Sequence, residues 1–299
     1  MAMLQIEGLH KRFGDREVLC GVNLSVPEGS VFGFIGQNGA GKTTTMKAIL
    51  GLLRIDGGDI LVNGEWVKYG EGRTNRFIGY LPDVPAFYPF MTAPEYLRFC
   101  GEISGLSAKE IEGRSRELLE LVGLAGEHHR IKGFSRGMKQ RLGIAQALLG
   151  RPRLLICDEP TSALDPAGRK EILDLLCAVR EQTTVLFSTH ILSDVERICT
   201  DVALLHHGVI AMQGELSVLK ERYRRDVYRL ELEREEDRAM LLQTFPAITR
   251  EEDGMLSFSA RDLGADRVMH VLAESGVAPV RWERLEPTLE TLFLEVIES

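Results

Sequence analysis

The sequence predicts an α/β fold followed by a small α+β domain, and three observations predict it. The stretch from Val31 to Leu50 reads as buried strand, glycine loop and helix. Leu154-Leu155-Ile156-Cys157 is a second apolar strand, and it ends in two adjacent carboxylates, Asp158 and Glu159. Beyond Gly214 the chain turns charge-rich, and short half-buried strands alternate with helices. Runs such as 31–35 and 154–157 are apolar on both faces, which suits a sheet covered by helices on both sides.

Taken in order, residues 3–9 alternate apolar and polar as a half-exposed strand does, and 18–26 offer a second strand before the turn Pro27-Glu28-Gly29. Between them Phe13 stands in a polar loop, Lys11-Arg12-Phe13-Gly14. An aromatic ring there is either a stacking platform for a base or a lid over the local core, and the residues alone favour the lid. Gly36 to Thr43 then fits G-x-x-x-x-G-K-[ST], a phosphate loop. Its three glycines, Gly36, Gly39 and Gly41, let the backbone curl so that successive N–H groups point inward at phosphate oxygens. The helix starting near Lys42 aims its positive end at the same anion. Lys42 would reach the terminal phosphates and Thr43 would hold Mg²⁺.

Glycine turns between Gly51 and Gly64 surround a short strand at 60–62, and another strand is expected at 77–81. From Thr92 to about Leu124 the apolar spacing is helical, as in a helical insertion on an α/β core. Residues 134–141 precede an amphipathic helix expected over 142–149, with Ser135 as its N-cap and Arg151-Pro152 at its end. An apolar strand tip bearing Asp158 and Glu159 beside a phosphate loop suits Mg²⁺ binding and polarisation of a water, with helix N-capping as the other reading. The strand 184–188 runs into Thr189-His190, which places His190 on the edge where open α/β sheets bind ligands. Two final strands, 201–205 and 209–212, flank His206-His207-Gly208. That histidine pair lacks a third metal ligand and, like His128-His129, reads as solvated loop.

Composition narrows the class. At 299 residues and 44% hydrophobic content the chain is globular, with one large domain or two. A net charge of −8 and no Lys/Arg stripe exclude a general nucleic-acid binder. Five scattered cysteines without a C-x-x-C pair suggest neither zinc knuckle nor disulfide framework, so a reducing cytosol is expected. No apolar stretch approaches the roughly 18–20 residues of a membrane span, and the N-terminus lacks a signal-peptide pattern. If the protein works at a membrane, another chain spans it.

With these residues collected, the first 215 or so resemble the ATP-binding subunit of an ABC transporter, a P-loop NTPase with an ABC helical subdomain. Phe13 stands where the family has its adenine-stacking aromatic. Gly36, Gln37, Asn38, Gly39, Ala40, Gly41, Lys42, Thr43 and Thr44 resemble the Walker A loop, and Phe134 to Met138 the LSGGQ signature. Asp158 and Glu159 match Walker B and its catalytic glutamate, Ser162 to Asp165 the D-loop, and His190 the switch histidine.

The resemblance implies a head-to-tail dimer, with a second copy of this chain as the expected mate and two ATP sites. Each site would lie between one subunit's phosphate loop and the other's signature helix, where Ser135 and Gly137 would touch γ-phosphate and Asp165, in the D-loop, would also bind the nucleotide. It also implies ATP and Mg²⁺ as cofactors, a separate transmembrane permease, and a place on the inner face of the cell membrane. Three positions depart from the family pattern. Pro82-Asp83 stands where a glutamine is usual, so Asp83 would face Mg²⁺ through a water and adds negative charge near phosphate. Arg136 and Met138 replace a glycine and a glutamine of the signature. These variants look most like the branch that pairs with ABC-2-type permeases for export. The alternative, a soluble mechanical ABC ATPase acting on ribosomes or DNA, usually carries two ATPase units or long coiled-coil inserts; this chain has one unit and an acidic balance.

Domains are expected at 1–218, with the helical subdomain at about 90–150, and at 219–299. Within the second, a linking helix over 217–225 leads to a strand at Tyr228, Leu230 and Leu232. Helix 236–245, a hairpin turning at Asp253-Gly254, helix 265–274, strand 277–283 and helix 287–297 follow. That β-α-β-β-α-β order predicts a small α+β ferredoxin-like C-terminal domain with no catalytic constellation.

Overall fold

The computed structural model describes residues 2–222, 227–285 and 288–298. The chain divides into two compact units, Met1–Ser217 with Val296–Ser299, and Val218–Glu295. The first begins with β1 (Ala2–Phe13), β2 (Arg16–Pro27), β3 (Val31–Ile35), α1 (Lys42–Ile49), β4 (Gly57–Val62), β5 (Glu65–Trp66) and β6 (Ile78–Leu81). Helices α2 (Ala93–Ile103), α3 (Ala108–Leu121) and α4 (Arg136–Leu148) follow. The chain then alternates through β7 (Leu154–Cys157), α5 (Pro166–Val179), β8 (Thr184–Thr189), α6 (Leu192–Ile198), β9 (Asp201–His206) and β10 (Val209–Glu215).

A six-stranded sheet runs in the order β10-β9-β3-β8-β7-β6, parallel except for β10. Every residue of β3, β7 and β8 is buried, which is why these strands read as continuous apolar runs. A second, antiparallel sheet has the order β2-β1-β4-β5. Phe32, Phe34, Met46 and Ile49 share one core with Leu4, Ile6, Leu9 and Leu24. Because β3, β6, β7 and β8 are parallel and paired at Ile35↔Thr189, Leu81↔Cys157 and Cys157↔Phe187, the loops that leave their C-terminal ends emerge on one edge. Those loops carry the phosphate loop, Asp83, Asp158-Glu159 and His190.

Helix α7 (Leu216–Arg222) leads to the second unit, which continues through β11 (Val227–Glu231), α8 (Glu235–Thr244), β12 (Thr249–Arg250), β13 (Leu256–Ser259), α9 (Ala265–Glu274), β14 (Arg281–Leu285) and most of α10 (Leu289–Glu298). Its antiparallel sheet has the order β12-β13-β11-β14, the interleaving of two βαβ halves that defines the ferredoxin-like arrangement. Leu230, Leu241, Leu256, Phe258, Val268 and Leu272 form its own core.

Several expectations need correction. Phe13 closes strand β1 rather than standing in a loop, and at 50% exposure it is no lid over a core. Ser135 is the expected N-cap of helix α4, its hydroxyl accepting from Met138 N (3.2 Å), but the helix starts directly at Arg136 instead of Leu142, through a polar first turn that apolar spacing does not reveal. Helices α5 and α6 went unforeseen. Strand β14 begins at Arg281 instead of Val277, since Pro279 has no N–H to give a ladder. The linking helix spans 216–222, and its expected last residues, 223–225, lie outside the described residues, as does Pro287 at the expected start of the last helix.

Candidate nucleotide-hydrolysing site

The loop from Gly36 to Gly41 depends on glycine at two positions. Gly41 holds φ 113°, and a Cβ there would lie 2.7 Å from Leu19 Cδ2; a Cβ on Gly36 would lie 2.7 Å from the Leu205 carbonyl oxygen. Gly41 is also the N-cap of α1 and brings no side chain to it, so the first amides of the helix keep their donors for a ligand. The buried Lys42 ammonium donates to the carbonyls of Gly36 (2.6 Å) and Gln37 (3.3 Å). It also stands 3.1 Å from Glu159 Oε1, at ion-pair distance without hydrogen-bond alignment.

Strand β7 delivers the two carboxylates to the same edge. Asp158 is buried and accepts from the Thr43 hydroxyl and from the Ser188 hydroxyl, both at 2.7 Å. Ser188 Oγ in turn accepts from Glu159 N (2.9 Å). Glu159 adopts φ 48°, a left-handed backbone uncommon for a non-glycine residue, and its Oε2 meets His190 Nδ1 at 2.9 Å. The next loop is tied to α6 by the buried Asp194, which accepts from Thr161 Oγ1 (2.7 Å) and Arg169 Nε (2.6 Å). Ser188, Thr161, Asp194 and Arg169 escaped the sequence reading. Ser188 lay inside a recognised strand next to His190, and only pairing of β7 with β8 puts it beside Asp158.

Asn38, Gly39, Gly41, Lys42, Thr43, Thr44, Asp83 and Glu159 line one open groove with Val18. Gln37 and Ala40 line a neighbouring one with Arg16, Glu17 and the His206-His207 pair, so those histidines, read as plain solvated loop, stand beside the phosphate loop. Asp83 is half-exposed, yet its Oδ1 is shielded and lacks a hydrogen-bond partner. Burial pushes its pKa above the usual carboxylate range, Arg136 offsets part of this, and Asp158 and Glu159 add to it. Burial and Asp158 also push the Tyr80 hydroxyl up to about 12. The remaining expected residues do not line these grooves. Ser135 and Asp165 cap α4 and α5, Asp165 accepting from Gly168 N at 3.1 Å; Gly137 lies in the first turn of α4; Phe13 is exposed with Lys11 Nζ 5.3 Å from its ring centre.

Residues 19–162 match the family model described as ABC transporter. Over 300 residues the chain is 40% identical to an uncharacterized ABC transporter ATP-binding protein, YxlF, of Bacillus subtilis (strain 168), covering 99% of this chain and 100% of that one. The chain belongs to the ABC transporter ATP-binding proteins. As a member it is an ATP-binding subunit of a transporter, and ATP hydrolysis is its activity. It is also 35% identical over 303 residues to the bacitracin transport ATP-binding protein BcrA of Bacillus licheniformis, covering 99% of this chain and 97% of that one. Among solved structures, an ATP-binding subunit of an ABC transporter superposes with a TM-score of 0.66 at 34% identity, covering 74% of this chain and 93% of that chain.

This ABC subunit offers donors that fit ATP with Mg²⁺. The Thr43 hydroxyl and Asp158 carboxylate are hard oxygens 2.7 Å apart, the few protein ligands that Mg²⁺ uses when phosphate oxygens and waters complete its shell. Among the described residues no cluster of three or more His, Cys, Asp or Glu could hold a metal ion. No helix of the described residues is long and apolar enough to cross a membrane.

Proposed function

We propose that the groove over the sheet edge binds Mg²⁺–ATP, that Glu159 polarises the attacking water, and that the resulting motion drives export through a permease in a separate chain. The observation that carries this reading is the position of Glu159 between Lys42 Nζ (3.1 Å) and His190 Nδ1 (2.9 Å), directly beside the phosphate loop. Gly36 to Thr44 would cradle the phosphates, Thr43 and Asp158 would hold Mg²⁺ with Asp83 as a less direct acceptor, and Phe13, exposed at the end of β1, would stack the adenine. Bound Mg²⁺ supplies charge neutralisation of the phosphates. Lys42 moves from Glu159 to phosphate, and His190 keeps Glu159 oriented as it accepts a proton from water.

Ser135, Gly137 and Asp165 act across a dimer of this chain; supporting this for the first two, the first turn of α4 has no acidic residue to offset its positive end, which suits the partner's γ-phosphate. The subunit sits in the cytoplasm against the inner face of the membrane, residues 1–218 being the ATPase, with its helical subdomain near 90–150, and 219–299 an accessory domain. Likeness over nearly the whole chain to a bacitracin transport protein supports antibiotic-type cargo.

The test is Glu159→Gln in the full chain. Turnover should fall about 100-fold or more, the scale of losing a general base, while ATP binding persists. Tagged and pulled from gently solubilised membranes with ATP present, this variant should bring a polytopic membrane protein in stoichiometric amount. Near-normal turnover would refute the role of Glu159, and recovery of ribosomal proteins or DNA alone would refute the transporter assembly.

A further inference from the structure

Two placements near the groove are each unfavourable alone. Asp83 puts a third carboxylate beside Asp158 and Glu159, where phosphate must enter. Arg136 puts a guanidinium in the first turn of α4, the end of a helix that disfavours cations, and that turn contains no acidic residue to offset it. The two face each other: Arg136 Nη2 lies 3.6 Å from Asp83 Oδ1, the shielded oxygen that has no hydrogen-bond partner.

A second contact runs in parallel. Gln140 is one turn beyond Arg136 on the same helix face, is almost fully buried, and donates from Nε2 to the Asp83 carbonyl at 2.9 Å. The helix lies tight against the strand behind this loop, since a Cβ on Gly143 would come 2.5 Å from Leu81 Cδ1. Displacing Asp83 therefore displaces α4, with little slack between them.

We propose that Asp83 and Arg136 form one matched positioning pair: Arg136 makes a carboxylate tolerable at the phosphate edge, and through Asp83 and Gln140 the groove holds the start of α4 in place. The two departures from the family pattern noted in the sequence are then a single linked exchange. An unpaired Asp83 would repel the incoming triphosphate and swing away, carrying the N-terminus of α4 with it. An unpaired Arg136, half-exposed, would be solvated at little cost.

The inference rests on the nucleotide site proposed above, and the experiment separates the two. ATP turnover by the full chain is measured across ATP concentrations for the unmodified protein, Asp83→Asn, Arg136→Gln and the double variant. Arg136→Gln should lower kcat about tenfold when Asp83 is present but less than about twofold in the Asp83→Asn chain, with KM moving less than kcat. Equal losses in both backgrounds, as a guanidinium acting only on a partner subunit's nucleotide would give, would overturn the pair, and so would no loss in either. Failure of the unmodified chain to turn over ATP would instead indict the site itself. Thermal unfolding is followed alongside. If Arg136→Gln is unfolded at the assay temperature, the same cycle is read with Arg136→Lys, whose loss should again vanish in the Asp83→Asn chain; persistence of that loss would overturn the pair.

Discussion

Asp83 is a residue whose cost is visible. Its carboxyl is driven up by burial and by two neighbouring carboxylates more than Arg136 draws it down, so the folded protein holds a proton there more tightly than the unfolded chain does. Stability is gained as that proton binds, and the gain is lost as pH rises through the folded-state value. Asp83→Asn should therefore raise the urea midpoint at pH 7 to 8, with the advantage shrinking as pH falls toward the unfolded carboxyl value of about 3.9. A midpoint that drops at pH 7 would contradict this sign. Glu159 also carries a cost, a non-glycine backbone at φ 48°, anchored by its N–H to Ser188 and its carboxylate to His190. Both residues sit in the groove, and both are poorer choices for stability than for chemistry.

At the scale of elements, the groove depends on how closely β6 lies on α4. A Cβ on Gly79 would run into the Ala147 carbonyl, so strand and helix meet backbone to backbone there. Gly79→Ala should cost about 1–3 kcal/mol by overpacking, read as a lower unfolding midpoint, and should weaken turnover along with it, because α4 carries both partners of Asp83. An unchanged midpoint would mean the helix yields more readily than its packing suggests. Helices α2 and α3 are anchored differently, by capping boxes in which Thr92 N donates to Glu95 (2.8 Å) and Ser107 N to Glu110 (2.9 Å). Both caps follow an S/T-x-x-E pattern, a signal that apolar spacing alone did not bring out. The closeness at Gly79 leaves no signal in the sequence, since a glycine in a strand does not announce what approaches it.

Across the whole molecule, two units with separate cores should unfold as two transitions. Calorimetry of the full chain tests this directly. Phe258→Ala, which removes a buried ring that stacks on Tyr228 at 5.6 Å, should lower one transition by about 3–5 kcal/mol and leave the other within experimental scatter. A single transition that shifts as one would show the cores to be coupled. The ferredoxin-like order of the second unit was legible because its strands and helices alternate with clean periodicity, down to the bounds of α9. The strand after α9 was misplaced because Val277 and Val280 look like strand residues while Pro279 between them forbids the ladder.

The sequence by itself determined the phosphate loop, the carboxylates at the tip of β7, His190 at the end of β8 and the order of the two folds. Each of these is a local pattern, written in glycine spacing, apolar period or adjacent charge. Only the tertiary structure decided that Ser188 joins Asp158 to Glu159, that Asp194 ties the following loop to α6, and that Asp83 faces Arg136 across 53 residues of chain. These are contacts between side chains far apart in sequence. They exist because parallel pairing brings the strand ends to one edge, and a one-dimensional pattern of residue types does not contain that pairing.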